Sequence, residues 1–234
     1  MTATWLFLHG INNTHEVWRP IAAHFETDHH VVCPLLPAVA DIDLIASQLW
    51  QTLNDNAVLV GHSFGGYVAL AMLAQQPQRV RAIALINSHT RADNAEAKLA
   101  REQSALAAEG GKYLALVESI TPRVFDADNL NNPALMAART SQAQKYGAQR
   151  FAAHQRGCAI RPDRSAQFSA FLGPKAVIAS AQDRVIPTEA QRGMANQCGA
   201  EFNTVANAGH MLPAEQPAAV TRLLSDWQQG WIQK

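Results

Sequence analysis

Short apolar runs alternate with longer amphipathic stretches along this chain. The runs Trp5–His9, His30–Cys33, Ala57–Gly61, Ala82–Asn87, Ala176–Ala181 and Glu201–Val205 predict six strands. Most are continuously apolar, the pattern of parallel strands covered on both faces. Between them, Val17–Glu26, Ile42–Leu53, Ser63–Gln76, Thr188–Cys198 and Ala214–Gln228 predict helices. Pro187 followed by Thr188 and Gln191 predicts a helix start with a capping box. Strand–helix alternation of this kind implies a mostly parallel sheet with helices on both sides. The alternation lapses between residues 88 and 171, a stretch rich in Ala, Gln and Arg with helical patterns near 92–109, 111–120 and 132–156. Some eighty residues far exceed what a crossover needs. The expectation is therefore a core of residues 1–87 and 172–234, with 88–171 inserted as a helical cap over the C-terminal ends of the strands, where open α/β sheets bind ligands.

One junction carries chemistry. Gly61-His62-Ser63-Phe64-Gly65-Gly66 follows the apolar run Ala57-Val58-Leu59-Val60 and leads into Tyr67–Ala74, a helix-forming stretch that ends before Pro77. Strand, sharp turn with a serine between glycines, then helix is the layout of a nucleophile elbow. The turn pushes the hydroxyl out of the sheet, the glycines let backbone and substrate approach, and the helix N-terminus offers free N–H groups.

A serine hydroxyl needs a base, a group to orient that base, and donors for the oxyanion. After the last strand, Ala206-Asn207-Ala208-Gly209-His210-Met211 places His210 at the C-terminal edge of the sheet, on the side of Ser63. His89, after the fourth strand, is the other candidate base, and His154 lies in the insertion. Asp183 ends the preceding strand and would fix the imidazole tautomer. Phe64, just after the serine, offers one backbone N–H. The turn Leu8-His9-Gly10-Ile11-Asn12-Asn13 offers another, from Ile11 or, next, Asn12.

Composition narrows the classes. Of 234 residues 48% are hydrophobic and 16% charged, so a large core can form, and 19 Lys plus Arg balance 19 Asp plus Glu. With no basic stripe, nucleic acid and anionic membranes are not expected partners. Cys33, Cys158 and Cys198 are too widely spaced for a disulfide framework or a zinc site. The run Trp5-Leu6-Phe7-Leu8 is too short for a signal peptide, and no stretch reaches the ~20 apolar residues of a membrane span. The expectation is a cytoplasmic monomer or homodimer. His29-His30 and Asp126-Ala127-Asp128-Asn129 lack the rest of a metal site, and no dinucleotide or Walker glycine pattern occurs. No metal or cofactor is expected.

These pieces together resemble short, esterase-like members of the α/β-hydrolase family. The likeness rests on Leu8-His9-Gly10 with Trp18 downstream, Gly61–Gly66, Gln182-Asp183 followed by Pro187, and Ala208-Gly209-His210. Gln75-Pro77-Arg79-Val80 and Glu215-Gln216-Pro217 add to it. Three departures stand out. The likeness starts at what would be the family's third strand, so its leading hairpin is not expected. Pro34–Ala40 replaces the usual Asp-x-x-Gly-x-Gly after the second strand. Ser180-Ala181 replaces the customary glycine before Asp183. The resemblance implies a Ser63–His210–Asp183 triad cleaving small to medium apolar carboxylic esters through an acyl-enzyme. Asn12, His62, Tyr113, Phe125, Tyr146 and Met211 would contact substrate, with Leu116 and Val117 as further cap candidates. Serine rather than aspartate at the elbow disfavours haloalkane and epoxide cleavage, and His62 where carbon–carbon hydrolases often carry Asn disfavours theirs. Lactonase, thioesterase, carbon–carbon hydrolase and perhydrolase activities share the same triad, and hydrolase-like small-molecule sensors keep it for binding.

Overall fold

The computed structural model describes residues 4–54 and 56–232. Six strands form one sheet: β1 (Thr4–Leu8), β2 (His30–Val32), β3 (Ala57–His62), β4 (Val80–Ile86), β5 (Lys175–Ser180) and β6 (Glu201–Val205). Their spatial order is β2-β1-β3-β4-β5-β6, and every pairing is parallel rather than mostly so. The central strands β1 and β3 are buried along their whole length, as their unbroken apolar runs require, whereas the edge strands β2 and β6 are partly exposed.

Side chains alternate across the sheet. Leu6, Leu8, Leu59, Leu85 and Val177 face α2 (Ile42–Thr52), α3 (Phe64–Gln75) and α9 (Thr188–Cys198) in one core. Trp5, Phe7, Val58, Val60 and Ile178 face α1 (Arg19–Phe25) and α11 (Pro217–Ile232) in the other. The C-terminal helix expected over 214–228 is two helices, α10 (Leu212–Glu215) and α11, broken at Gln216, whose φ −135° and ψ 56° suit a residue preceding proline.

From β1 the chain runs outward to β2, then returns to the other side of β1 as β3. Strand order reverses there, so the loops after β1 and β3 diverge and open a crevice at their C-terminal ends. Leu8 pairs with Gly61, His62 with Ile86, and Ser180 with Val205. The loops carrying Ile11, Ser63, Asn87, Asp183 and His210 therefore leave the sheet along one rim.

Between β4 and β5 lie α4 (Ala95–Ala107), α5 (Tyr113–Val124), α6 (Pro133–Tyr146), α7 (Ala148–Ile160) and α8 (Ser165–Ala170). The helix expected over 132–156 is broken at Gly147, whose φ of 80° reverses the chain between α6 and α7. The last helix of the segment, α8, packs on α3 and α9, with Phe168 fully buried in the sheet's own core. No helix among the described residues is long and apolar enough to cross a membrane.

Candidate active site

Ser63 occupies the turn between β3 and α3 with φ 51° and ψ −114°, a conformation few non-glycine residues adopt. The surrounding glycines are dictated by contact. A Cβ on Gly61 would strike the Gly65 carbonyl, one on Gly65 the Leu8 carbonyl, and one on Gly66 the Ser88 side chain. The tight fit of β3, α3 and the end of β1 is what holds the serine in its strained position. Ser63 N–H donates to Ile86 O (2.9 Å), and Ser88 Oγ donates to Ser63 O (2.9 Å).

His210 lies beside it. Its Nε2 is 2.9 Å from Ser63 Oγ and its Nδ1 is 3.0 Å from Asp183 Oδ2. The Asp183 side chain is fully buried. Burial pushes its carboxyl pKa up, but the His210 charge and hydrogen bond and the N–H groups of Ile186 and Val185 outweigh it, holding the group below the usual carboxylate range. Those two N–H groups donate to Oδ1 at 3.0 and 2.8 Å, and Gln191 Nε2 reaches Oδ2 at 3.3 Å. An ionised carboxylate at Oδ2 requires the imidazole proton on Nδ1. That leaves the Nε2 lone pair facing the serine hydroxyl.

The histidine loop is pinned from three sides. Asn87, at the end of β4 with φ 43°, donates through Nδ2 to the carbonyls of Gly209 (3.1 Å) and His210 (3.0 Å) and to Ser180 Oγ (2.8 Å), while its Oδ1 accepts Ser180 N–H. His62 Nε2–H donates to His210 O at 2.8 Å. Burial, with the nearby His210, drives the His62 pKa down to about 3, so this ring is neutral. Glu215 accepts the N–H groups of Gly209 (3.0 Å) and Met211 (3.1 Å). Gly209 must be glycine because a Cβ would lie 2.6 Å from the Phe125 backbone at the end of α5.

The second loop of the rim carries Ile11 and Asn12. His9 holds it, its Nε2 accepting Leu36 N–H at 3.0 Å, and burial takes the His9 pKa down to about 3. Phe64 is the first residue of α3, so its N–H has no acceptor one turn earlier.

A cavity of about 600 Å³ opens over Ser63 and His210, within the range of small-molecule sites. Ile11, Asn12, His62, Phe64 and Met211 line it, as does Leu116 from α5. Tyr113, Phe125 and Tyr146, expected at its wall, are not among the lining residues; nor is Val117. Tyr113, Val117 and Tyr146 pack in the core of the cap, the Tyr146 hydroxyl bonded to His154, and Phe125 packs with Val124 and Met211. Large aromatics bury most area where helices meet, and here the helices meet each other. The wall is not apolar throughout: Asp93, Arg101, Arg123, Arg139 and Gln155 reach it. His89 also lines it but pairs with Tyr67 (Nε2 to Oη, 3.1 Å), not with Ser63.

Sequence reasoning passed over Asn87 and Arg139. An asparagine just past a strand is a common left-handed turn residue, so only its partners on two other strand ends distinguish it. Among the described residues no group of three or more His, Cys, Asp or Glu side chains is placed to hold a metal ion.

Residues 5–223 match the model of a family described as the alpha/beta hydrolase family. No curated protein matches the chain. Among solved structures, a thermophilic esterase from Thermogutta terrifontis, with malate bound, is similar at TM-score 0.92 and 25% identity, over 98% of this chain and 90% of that one. An enol-lactonase from Burkholderia xenovorans is similar at TM-score 0.86 and 19% identity, over 98% and 92%. A bromoperoxidase from Bacillus anthracis is similar at TM-score 0.83 and 14% identity, over 98% and 92%.

Proposed function

This chain belongs to the alpha/beta hydrolase family, and we propose that it is a serine hydrolase cleaving small to medium carboxylic esters. The observation that carries this reading is the hydrogen-bond chain from Ser63 Oγ through His210 to the buried Asp183. Its similarity to the Thermogutta terrifontis esterase supports the same choice of bond.

In this reading Ser63 attacks the ester carbonyl while His210 Nε2 takes its proton, and Asp183 stabilises the resulting imidazolium. The oxyanion rests on the N–H groups of Ile11 and Phe64, both at the cavity wall. His210 then gives its proton to the leaving alcohol. It next draws one from a water molecule, which cleaves the acyl-enzyme and regenerates Ser63. Asn87, His62 and Glu215 hold the loop that carries His210.

A panel of 4-nitrophenyl esters of rising acyl length tests the reading, run beside lactone and thioester substrates. Steady turnover far beyond one equivalent, highest on the esters, is expected. A single stoichiometric burst without further turnover would instead indicate a sensor, and a preference for lactone or thioester would reassign the bond.

A further inference from the structure

The cavity wall carries more positive charge than the proposed chemistry uses. Three arginines reach it, Arg101, Arg123 and Arg139, against one carboxylate, Asp93. That carboxylate is already shared by two guanidiniums, those of Arg101 and Arg161. Arg123 is exposed and its Nε donates to the Arg184 carbonyl at 3.0 Å.

Arg139 differs from both. Projecting from α6, it is 6% exposed, yet it has no carboxylate partner among the described residues. Its Nη1 donates to the carbonyl of Asn12 at 3.2 Å, and its buried Nε has no partner. Glu118 lines a neighbouring cavity between α5 and α6 that Arg139 also borders, but the two form no ion pair. Burial without a compensating anion pulls the guanidinium pKa down to about 10, with Tyr113 acting weakly in the other direction. Even so the side chain stays charged at neutral pH. A buried, unpaired charge is costly, and folding alone offers no return for it here.

The carbonyl it holds belongs to the loop that carries Ile11, and both Arg139 and Ile11 line the cavity over Ser63. With Nη1 committed to that loop and Nε shut off from solvent, Nη2 is the nitrogen left to meet a ligand. Its N–H groups can donate a charge-assisted hydrogen bond to a carboxylate.

Resting on the ester-hydrolase reading, we propose that Arg139 is a carboxylate-binding residue and that the substrate is an ester bearing a free carboxylate, such as a monoester of a dicarboxylic acid. Substrate carboxylate would supply the missing counter-charge, so the charged ester is held where its neutral analogue leaves Arg139 unpaired. This chemistry also gives a use to the polar side chains that interrupt the apolar lining of the cap.

The test compares mono-4-nitrophenyl esters of glutarate, adipate and suberate with the same molecules capped as methyl esters, reading 4-nitrophenol release. For the best-fitting chain, kcat/KM for the free acid should exceed that for its capped analogue about 10- to 100-fold, the range of a hydrogen-bonded charge pair. That ratio should fall to near one in Arg139→Gln and recover in part in Arg139→Lys. Because Arg139 also holds the Asn12 loop, the ratio is the readout, since loop damage lowers both substrates alike. A wild-type ratio near or below one for all three chains, or an unchanged ratio in Arg139→Gln, overturns the proposal. Should Arg139→Gln fail to fold, the wild-type ratio decides. If neither ester turns over, the hydrolase reading fails separately. Calorimetry of wild-type protein then tests the anion site: binding of adipate but not dimethyl adipate sustains it, and no binding of adipate ends it.

Discussion

Acid should unfold this protein at a pH set by its buried histidines. Burial lowers the pKa of His9 and His62 to about 3 and of His89 and His154 to about 4. In the unfolded chain each returns to about 6.5. A depressed histidine pKa means the unfolded state binds more protons between those two values. Stability is therefore full above pH 6.5 and is lost as pH falls towards 4. At pH 5 each group costs about 2 kcal/mol relative to neutral pH, from 1.36 kcal/mol per pH unit over the interval below 6.5. Four such groups cost about 8 kcal/mol, comparable to a typical domain's whole stability of about 5–15 kcal/mol. Glu215, whose pKa is raised chiefly by burial, opposes this in part by taking up a proton more readily when folded. Asp183, held low, joins the histidines only below about pH 4. The assay is urea unfolding followed by tryptophan fluorescence at half-unit steps from pH 7.5 to 4.5. Its slope against pH counts the protons taken up on unfolding. About three to four protons per chain near pH 5 are expected, against about one at pH 7 and under about half of one at pH 7.5. A slope below one proton at pH 5 would refute the burial of these rings as neutral groups.

Three further outcomes follow from named contacts. Asp183→Asn should lower kcat about 10⁴-fold, because an amide cannot hold the Nδ1–H tautomer; a loss under tenfold in an ester assay would remove Asp183 from the triad. Asn87→Gly keeps the left-handed backbone but removes the side-chain bonds to the Gly209 and His210 carbonyls, leaving His210 O to His62 alone. It should cut kcat by about 10- to 100-fold through misplacement of the base, with little change in KM, and equal losses in a binding-only measurement on the same variant would point to general damage. Gly65→Ala drives a Cβ into the Leu8 backbone and should cost about 1–3 kcal/mol or more in denaturant unfolding, whereas wild-type stability would show that α3 and β1 are less tightly docked than described.

What the chain's letters disclose tracks how local the cause is. Continuous apolar runs mark the strands because burial on two faces leaves no polar positions, and the observed strands differ from the expected ones only at their ends. Ser63, His210 and Asp183 each sit just past a strand, so strand order and direction suffice to bring them to one rim. The hydrogen bonds between them required the coordinates. Gly147 is less legible: flanked by helix-compatible residues, an isolated glycine costs only about 1 kcal/mol in a helix, so the letters alone do not mark the reversal that its φ of 80° makes. Tyr113, Phe125 and Tyr146 pack within the cap and against Val124 and Met211 rather than on the pocket wall, because an aromatic's size predicts burial without saying against what. Asn87 and Arg139 matter through partners distant in sequence, the Gly209–His210 loop and the Asn12 carbonyl, which no periodicity encodes.

Identification of the residue modified by a serine-directed fluorophosphonate tests the central claim most directly. Mass spectrometry of the digested protein should find one adduct, on Ser63, with loss of ester turnover in step with labelling. Ser63→Ala should then take up no label and lose on the order of 10⁴-fold or more in turnover. An adduct on another residue, or wild-type turnover in Ser63→Ala, would contradict the account.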